Sequence, residues 1–189
     1  MESQLKTVNV KLLTDNVFKL LDNDWMLITA GNQESFNSMT ASWGAFGILW
    51  NKPIAIGFIR PQRYTFEFMN KSESFTLSFF NNEHRPALNF LGSHSGRTVN
   101  KMTDSGLTPV FTERNNVYFE EARLVLDCKI MYTDDLKQEN FISKTLVKDI
   151  YPKQDFHRMF IGEITNCLCS DKLTIEKFRK MTGADENSF

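Results

Sequence analysis

Ser74-Phe75-Thr76-Leu77-Ser78-Phe79-Phe80 sets Phe75, Leu77 and Phe79 against Ser74, Thr76 and Ser78. Side chains alternate between the two faces of an extended backbone, so this period of two predicts a half-buried strand. Residues 123–132 repeat the pattern: Leu124, Leu126, Cys128, Ile130 and Tyr132 fall on one face, Arg123, Asp127 and Lys129 on the other. Outward from these, 25–30 (WMLITA) and 54–60 (IAIGFIR) read as buried strands, and Gly57 permits a bend or a close approach in the second. Residues 158–168 (RMFIGEITNCL) give a last strand, 39–44 (MTASWG) run extended, and 31–38 (GNQESFNS) read as a turn. Short helices are expected over 64–71 after Pro61, 84–91, 98–105 ending at Gly106, and 172–181. Many short strands with few, irregularly placed helices speak against a doubly wound sheet and predict a mainly β sandwich or barrel with a few short helices.

The 189 residues hold no internal repeat, no low-complexity run and no Pro/Ser/Gly-rich linker, which predicts one domain. Seventeen phenylalanines add aromatic bulk of the kind that strands favour. A net charge of −1 carries no basic excess, so nucleic acid is not an expected partner. Three cysteines cannot all pair; Cys167 and Cys169 would share a strand face without easily bridging, and no zinc-ligand spacing occurs, so reduced thiols are expected. The start, Met1 to Leu13, carries Glu2 and lacks the apolar run of a secretory signal, and the apolar stretch around Ile54 to Ile59 is too short to span a bilayer. A cytoplasmic protein without a membrane partner is expected.

Two segments concentrate chemistry. Arg60-Pro61-Gln62-Arg63-Tyr64-Thr65 leads from a strand into a predicted helix. Pro61 keeps Arg60 out of the helical region, so a helix beginning near Tyr64 would present unsatisfied amides, with Arg63 and Thr65 beside them as a phosphate cradle. The plainer alternative is a solvated arginine and a capping threonine. Asn37-Ser38-Met39-Thr40-Ala41-Ser42-Trp43-Gly44 combines small polar residues, an indole and a glycine; read alone, it is equally an ordinary strand with a core tryptophan. Ser95, Arg97 and Lys101 are further anion donors, or a solvated loop. His84, His94 and His157 have no metal-ligand spacing, Glu120 and Glu121 are not marked as a catalytic pair, and no nucleophile elbow, P-loop or dinucleotide fingerprint is present.

Taken in order, WMLITA (25–30), NSMTASWGAFGILWNKP (37–53), RPQRYTFEFMNKSESFTLSFF (60–80), SGRTVNKMTDSGL (95–107), EEARLVLDC (120–128) and FHRMFIGEI (156–164) resemble the flavin reductase-like domain family, which includes flavoredoxins. The resemblance covers roughly residues 15–170, leaving a helical tail after 171. It implies a split β-barrel that binds FMN at a homodimer interface. It implies that Asn37, Ser38, Met39, Thr40, Ala41, Ser42 and Trp43 run along the isoalloxazine, and that Arg63, Tyr64 and Thr65 lie at the phosphate. Ser95 and Lys101 would add phosphate or ribityl contacts, and His157 matches a histidine near the flavin or nicotinamide site. Thr98 and Asn100 stand where the family often has Asp. The implied activity is hydride transfer from NAD(P)H to FMN and electron transfer onward to ferric iron, free flavin or a protein. The alternative is an electron carrier reduced by a partner protein, without its own nicotinamide site. Either assignment needs no catalytic side chain, because the flavin supplies the chemistry and the protein places it.

Overall fold

The computed structural model describes residues 5–170 and Lys180; apart from Lys180, the helix expected over 172–181 lies outside the described residues. The strands are β1 (Lys6–Thr7), β2 (Met26–Gly31), β3 (Phe36–Ala41), β4 (Gly44–Leu49), β5 (Lys52–Ile59), β6 (Ser74–Phe79), β7 (Pro109–Phe111), β8 (Val117–Phe119), β9 (Leu124–Asp135) and β10 (Arg158–Cys169). The helices are short: α1 (Val17–Lys19), α2 (Tyr64–Lys71), α3 (Arg85–Ser93), α4 (Lys101–Ser105) and α5 (Lys144–Ile150).

The main sheet is antiparallel throughout and runs β3-β2-β6-β9-β10-β5-β4, with β1 added along β10. β7 and β8 form a separate hairpin. β3 and β4 are opposite edges of that order, yet only Ser42 and Trp43 join them. Laid flat, the seven strands would hold their edges roughly 29 Å apart at ~4.8 Å per step. The three peptide steps from Ala41 to Gly44 reach at most about 11 Å. The sheet therefore curls until its edges approach, which makes it a split β-barrel. β10 serves two neighbours in turn: Arg158–Glu163 pair with β5, and Leu168–Cys169 with β1.

Met26, Ile28, Phe75, Leu77, Phe79, Leu124, Leu126 and Phe160 belong to one buried cluster inside the barrel. Leu27, Leu88, Leu91, Phe119 and Val125 form a second between the outer face of β2 and β9 and the cover of α3, α4 and residues 107–122. Cys128, Cys167 and Cys169 are buried, and burial raises the Cys128 and Cys167 thiols well away from thiolate formation.

That second layer corrects the expected polar face of 123–132. Asp127 is buried and accepts Asn116 Nδ2 at 2.7 Å. Tyr132, placed on the apolar face by alternation, is exposed. A register shift opposite Ile161 and Gly162 inserts Met131 between paired residues, and one extra residue flips every later side chain. The turn expected over 31–38 shortens to 32–35, because Phe36, Asn37 and Ser38 pair with Gly31, Ala30 and Thr29. Asn32 makes so tight a turn possible, its Oδ1 accepting the amides of Glu34 and Ser35. The helix expected over 98–105 is reduced to α4, with Asn100 as its N-cap and Gly106 left-handed at its end. The expected helix over 84–91 begins at Arg85 and runs on to Ser93.

Candidate functional site

Where the barrel edges meet, Met39, Thr40, Ala41, Ser42 and Trp43 line a cavity of about 270 Å³ with Phe58, Arg60, Arg63, Gly92 and His157. Three changes of direction bring these residues together. β3 ends at Ala41 and turns through Ser42 and Trp43 into β4. β5 ends at Ile59, and the turn over Arg60–Arg63, closed by Arg63 N–H on the Arg60 carbonyl at 3.1 Å, delivers both arginines before α2 starts. β10 begins one residue after His157. α3 lies against β3, where Thr40 Oγ1 donates to the Leu88 carbonyl.

Arg63 and Lys101 set the electrostatics. Arg63 Nη2 donates to the Gly92 carbonyl at 2.9 Å. Lys101, 5% exposed, donates to the carbonyls of Leu91 at 2.6 Å and Ser38 at 3.1 Å. Leu91 and Gly92 are in the last turn of α3, where carbonyls lack helical partners and the helix dipole is negative. Both cations thus cap α3, and neither forms an ion pair with a carboxylate among the described residues. Burial pushes Arg63 below its ordinary value. Burial, and then the charge of Arg63, lowers Lys101 to about 8.

Asn37 and Lys101 face a neighbouring hollow of about 440 Å³, together with Tyr64, Gly96 and Arg97. Asn37 Nδ2 donates to Thr65 Oγ1 at 2.7 Å, and Ser38 Oγ is 2.8 Å from Thr29 Oγ1; Asn37, Ser38 and Thr65 are buried. Gly96 fits only because it has no side chain: a Cβ there would meet Asn37 Oδ1 at 2.2 Å and Tyr64 Cδ1 at 2.9 Å. Arg97 covers the Tyr64 ring and pairs with Glu67. Ser95 lines neither hollow; its carbonyl accepts the amides of Thr98 and Val99 and its hydroxyl that of Arg97.

His157 is 6% exposed. Its Nδ1 is 2.8 Å from the Tyr151 hydroxyl, and its ring centroid is 5.2 Å from that of Trp43. Burial, reinforced by the charge of Arg60 and opposed by Asp155, holds it down at about 4, so the ring is neutral at pH 7. Arg60 donates to Asp155 at 2.7 Å and to the Ile150 carbonyl at 3.0 Å, and lies over the Tyr151 ring. His84 and His94 are elsewhere, against Phe80 and Phe90.

The structure thus brings Met39 to Trp43, Arg63 and His157 to one cavity and Asn37, Tyr64 and Lys101 to the next, with Ser38 and Thr65 buried and Ser95 apart. Phe58, Gly92 and Tyr151 were not among the expected residues. Nothing in the sequence marks Tyr151, which comes from the long connection between β9 and β10. Arg60 was legible as a charged residue before Pro61, but its orientation depends on Asp155, 95 positions away.

A family model described as a flavin reductase like domain matches residues 20–181. No curated protein sequence matches the chain. Solved structures do. The FMN-binding domain of a flavin reductases-like enzyme from Shewanella baltica superposes with a TM-score of 0.65 at 17% identity, over 90% of this chain and 79% of that one. Flavoredoxin from Methanosarcina acetivorans gives 0.59 at 21%, over 77% and 68%. The NADH:FAD oxidoreductase of Streptomyces globisporus, in complex with NAD and FAD fragments, gives 0.58 at 16%, over 76% and 73%. At such identities these likenesses establish a shared architecture.

Proposed function

Because the chain belongs to the flavin reductase-like domain family, we propose that it is an FMN-dependent oxidoreductase, one domain that takes a hydride from NADH or NADPH and passes electrons to an acceptor. The observation that carries this reading is the pair Arg63 and Lys101, two cations without a carboxylate partner among the described residues, Arg63 in the cavity walled by Trp43, Phe58 and His157 and Lys101 in the adjoining hollow. FMN is a dianionic phosphate joined to a flat ring, and this donor set suits both ends. Arg63 and Lys101 hold the phosphate, assisted by the polar groups of Asn37 and Tyr64, which line the hollow that Lys101 faces. Residues 38–43 offer backbone and side-chain donors along the ring edge. When bound, FMN supplies the redox chemistry; the side chains bind, orient and exclude water.

The site is completed by a second copy. Next to the cavity runs the edge strand β4, which exposes Ile48 (62%) and, in its hairpin turn, Trp50 (60%). Large apolar side chains on an unpaired edge favour burial against a partner. The nicotinamide nucleotide would enter beside Trp43.

Anaerobic mixing tests the enzyme reading. NADH or NADPH should bleach the bound flavin, and an added acceptor should restore the colour. Bleaching by dithionite or a reductase partner, but by neither nucleotide at millimolar concentration, would make the protein an electron carrier instead. Light scattering that finds only monomer with flavin bound would remove the second copy.

A further inference from the structure

His157 stands at the base of an excursion from the barrel. β9 and β10 are paired at Asp135 and Arg158, and the Leu136 amide donates to the His157 carbonyl at 2.9 Å. Between those points the chain leaves the sheet, forms α5 and returns with Tyr151 and Phe156 packed ring to ring at 4.7 Å. Asp155 ties the return to the cavity by accepting from Arg60 at 2.7 Å and Gln62 at 2.6 Å. Long connections with no role in the sheet are commonly functional. This one brings a single polar side-chain atom to His157, the Tyr151 hydroxyl.

We propose that Tyr151 is a positioning residue: its hydroxyl donates to Nδ1 of His157 and fixes the imidazole as the Nε2–H tautomer, a neutral donor facing the cavity. The direction of the bond follows from the partners present. The Tyr151 hydroxyl is buried, and its one side-chain partner among the described residues is Nδ1. Were Nδ1 to carry the hydrogen, the tyrosine's own hydrogen would be buried without an acceptor, which costs more than the bond gains. Burial raises the Tyr151 hydroxyl above its ordinary value, with Arg60 and the His157 amide pulling the other way and Asp155 adding to the rise, so it keeps its proton. Nε2 has no partner among the described residues and is not sealed off.

A tautomer locked in this way selects its ligand. Nε2–H donates to a carbonyl oxygen or a ring nitrogen lone pair and offers nothing to a hydroxyl or amide seeking an acceptor. Resting on the reading of a flavin site, the acceptor is a carbonyl of the isoalloxazine or of the nicotinamide carboxamide. Arg60 and Asp155 are the charged groups that face the ring, and they are paired with each other.

Two-bond proton–nitrogen NMR on the ligand-free protein with labelled histidine reads the tautomer directly. Wild type should show His157 as the single Nε2–H form at pH 7. Tyr151→Phe, which keeps the ring packing, should show mixed tautomers and a titration displaced upward. The same variant should bind FMN about three- to tenfold more weakly, or raise KM for the nicotinamide nucleotide by that factor with kcat little changed. A wild-type Nδ1–H form, or a variant with an unaltered tautomer and titration, overturns the proposal, and the wild-type spectrum decides even if the variant does not fold. Failure of wild type to bind any flavin would refute the proposed function and the carbonyl ligand with it. A wrong tautomer in a flavin-binding protein refutes this inference alone.

Discussion

Raising the pH should loosen FMN while sparing riboflavin, and Lys101 should be the cause. In the free protein Lys101 stands at about 8 against an ordinary 10.5, because it is buried and because Arg63 repels it. A dianionic phosphate bound between the two removes the second cause and offsets the first. If the bound value returns to the ordinary one, then at about pH 9 the free protein carries the charge in roughly one molecule in eleven, and the complex in nearly all. FMN then takes up about 0.9 proton on binding at pH 9 and about 0.1 at pH 7. Integrated over those two units, its affinity falls by about tenfold, or about 1.4 kcal/mol. The assay is fluorescence titration of FMN and riboflavin at pH 7, 8 and 9, with calorimetry in two buffers of different ionisation enthalpy to count protons. Riboflavin has the same ring and no phosphate, so it corrects for titration of the ring. Lys101→Arg, whose charge does not titrate in this range, should flatten the FMN curve. An FMN affinity level from pH 7 to 9 in wild type, or a parallel fall for riboflavin, would refute the placement of the phosphate at Lys101.

Removing Arg63 with Arg63→Ala should weaken FMN by about tenfold or more at ~1.5–3 kcal/mol for a charged hydrogen bond, and barely touch riboflavin; equal losses in parallel titrations would sink the phosphate assignment. His157, held at about 4 against 6.5, binds its proton later than the unfolded chain does, so the stability it contributes is whole above pH 6.5 and is lost as the pH falls to about 4, by at most about 3 kcal/mol. Urea melts of wild type and His157→Gln at pH 7 and near pH 4.5 should show a steeper loss in wild type, and equal slopes would speak against a buried neutral imidazole. Gly96→Ala would set a Cβ 2.2 Å from Asn37 Oδ1 and should destabilise by about 1–3 kcal/mol; an unchanged melting temperature would show that this approach is looser than the geometry requires.

Alternation located the strands, β6 among them, but not their exposure: Thr76 and Ser78, read as the open face of a half-buried strand, are buried. It failed where both faces are covered. Asp127 reads as a solvent-facing residue until Asn116 is seen to meet it from the separate β7–β8 side. Phe36, Asn37 and Ser38 read as turn residues because polarity in a short window signals a loop. In the fold their polar groups are satisfied by Thr29 and by Thr65, 28 residues beyond Asn37, so the strand extends through them. The candidate site divides in the same way. The 37–43 run is contiguous, and Arg63 stands in its own short motif after Pro61, so both are visible in the sequence. Tyr151 reaches His157 through an excursion with no periodic pattern, and the α3 carbonyls that hold Arg63 and Lys101 are backbone atoms, which no residue type announces.

Those carbonyls explain how a buried and a half-buried cation can stand side by side before any anion arrives. The last turn of α3 supplies about half a negative charge, shared between Arg63 on Gly92 and Lys101 on Leu91. Helix capping alone would need no more than one of them, or a glycine in the left-handed conformation. Lys101 also reaches Ser38 on β3, so the cap fastens the helix end to the strand that walls the cavity. Burial first, and then the charge of Arg63, still holds Lys101 at about 8, so an anion accepting from both side chains would relieve the second cause. A phosphate that enters there finds its donors already in place and loses little to reorganisation. Its arrival should therefore register as a change in proton occupancy at Lys101 with small displacement of the 91–101 backbone. Backbone amide spectra recorded with and without FMN can distinguish that from an induced closure, which would move the whole loop.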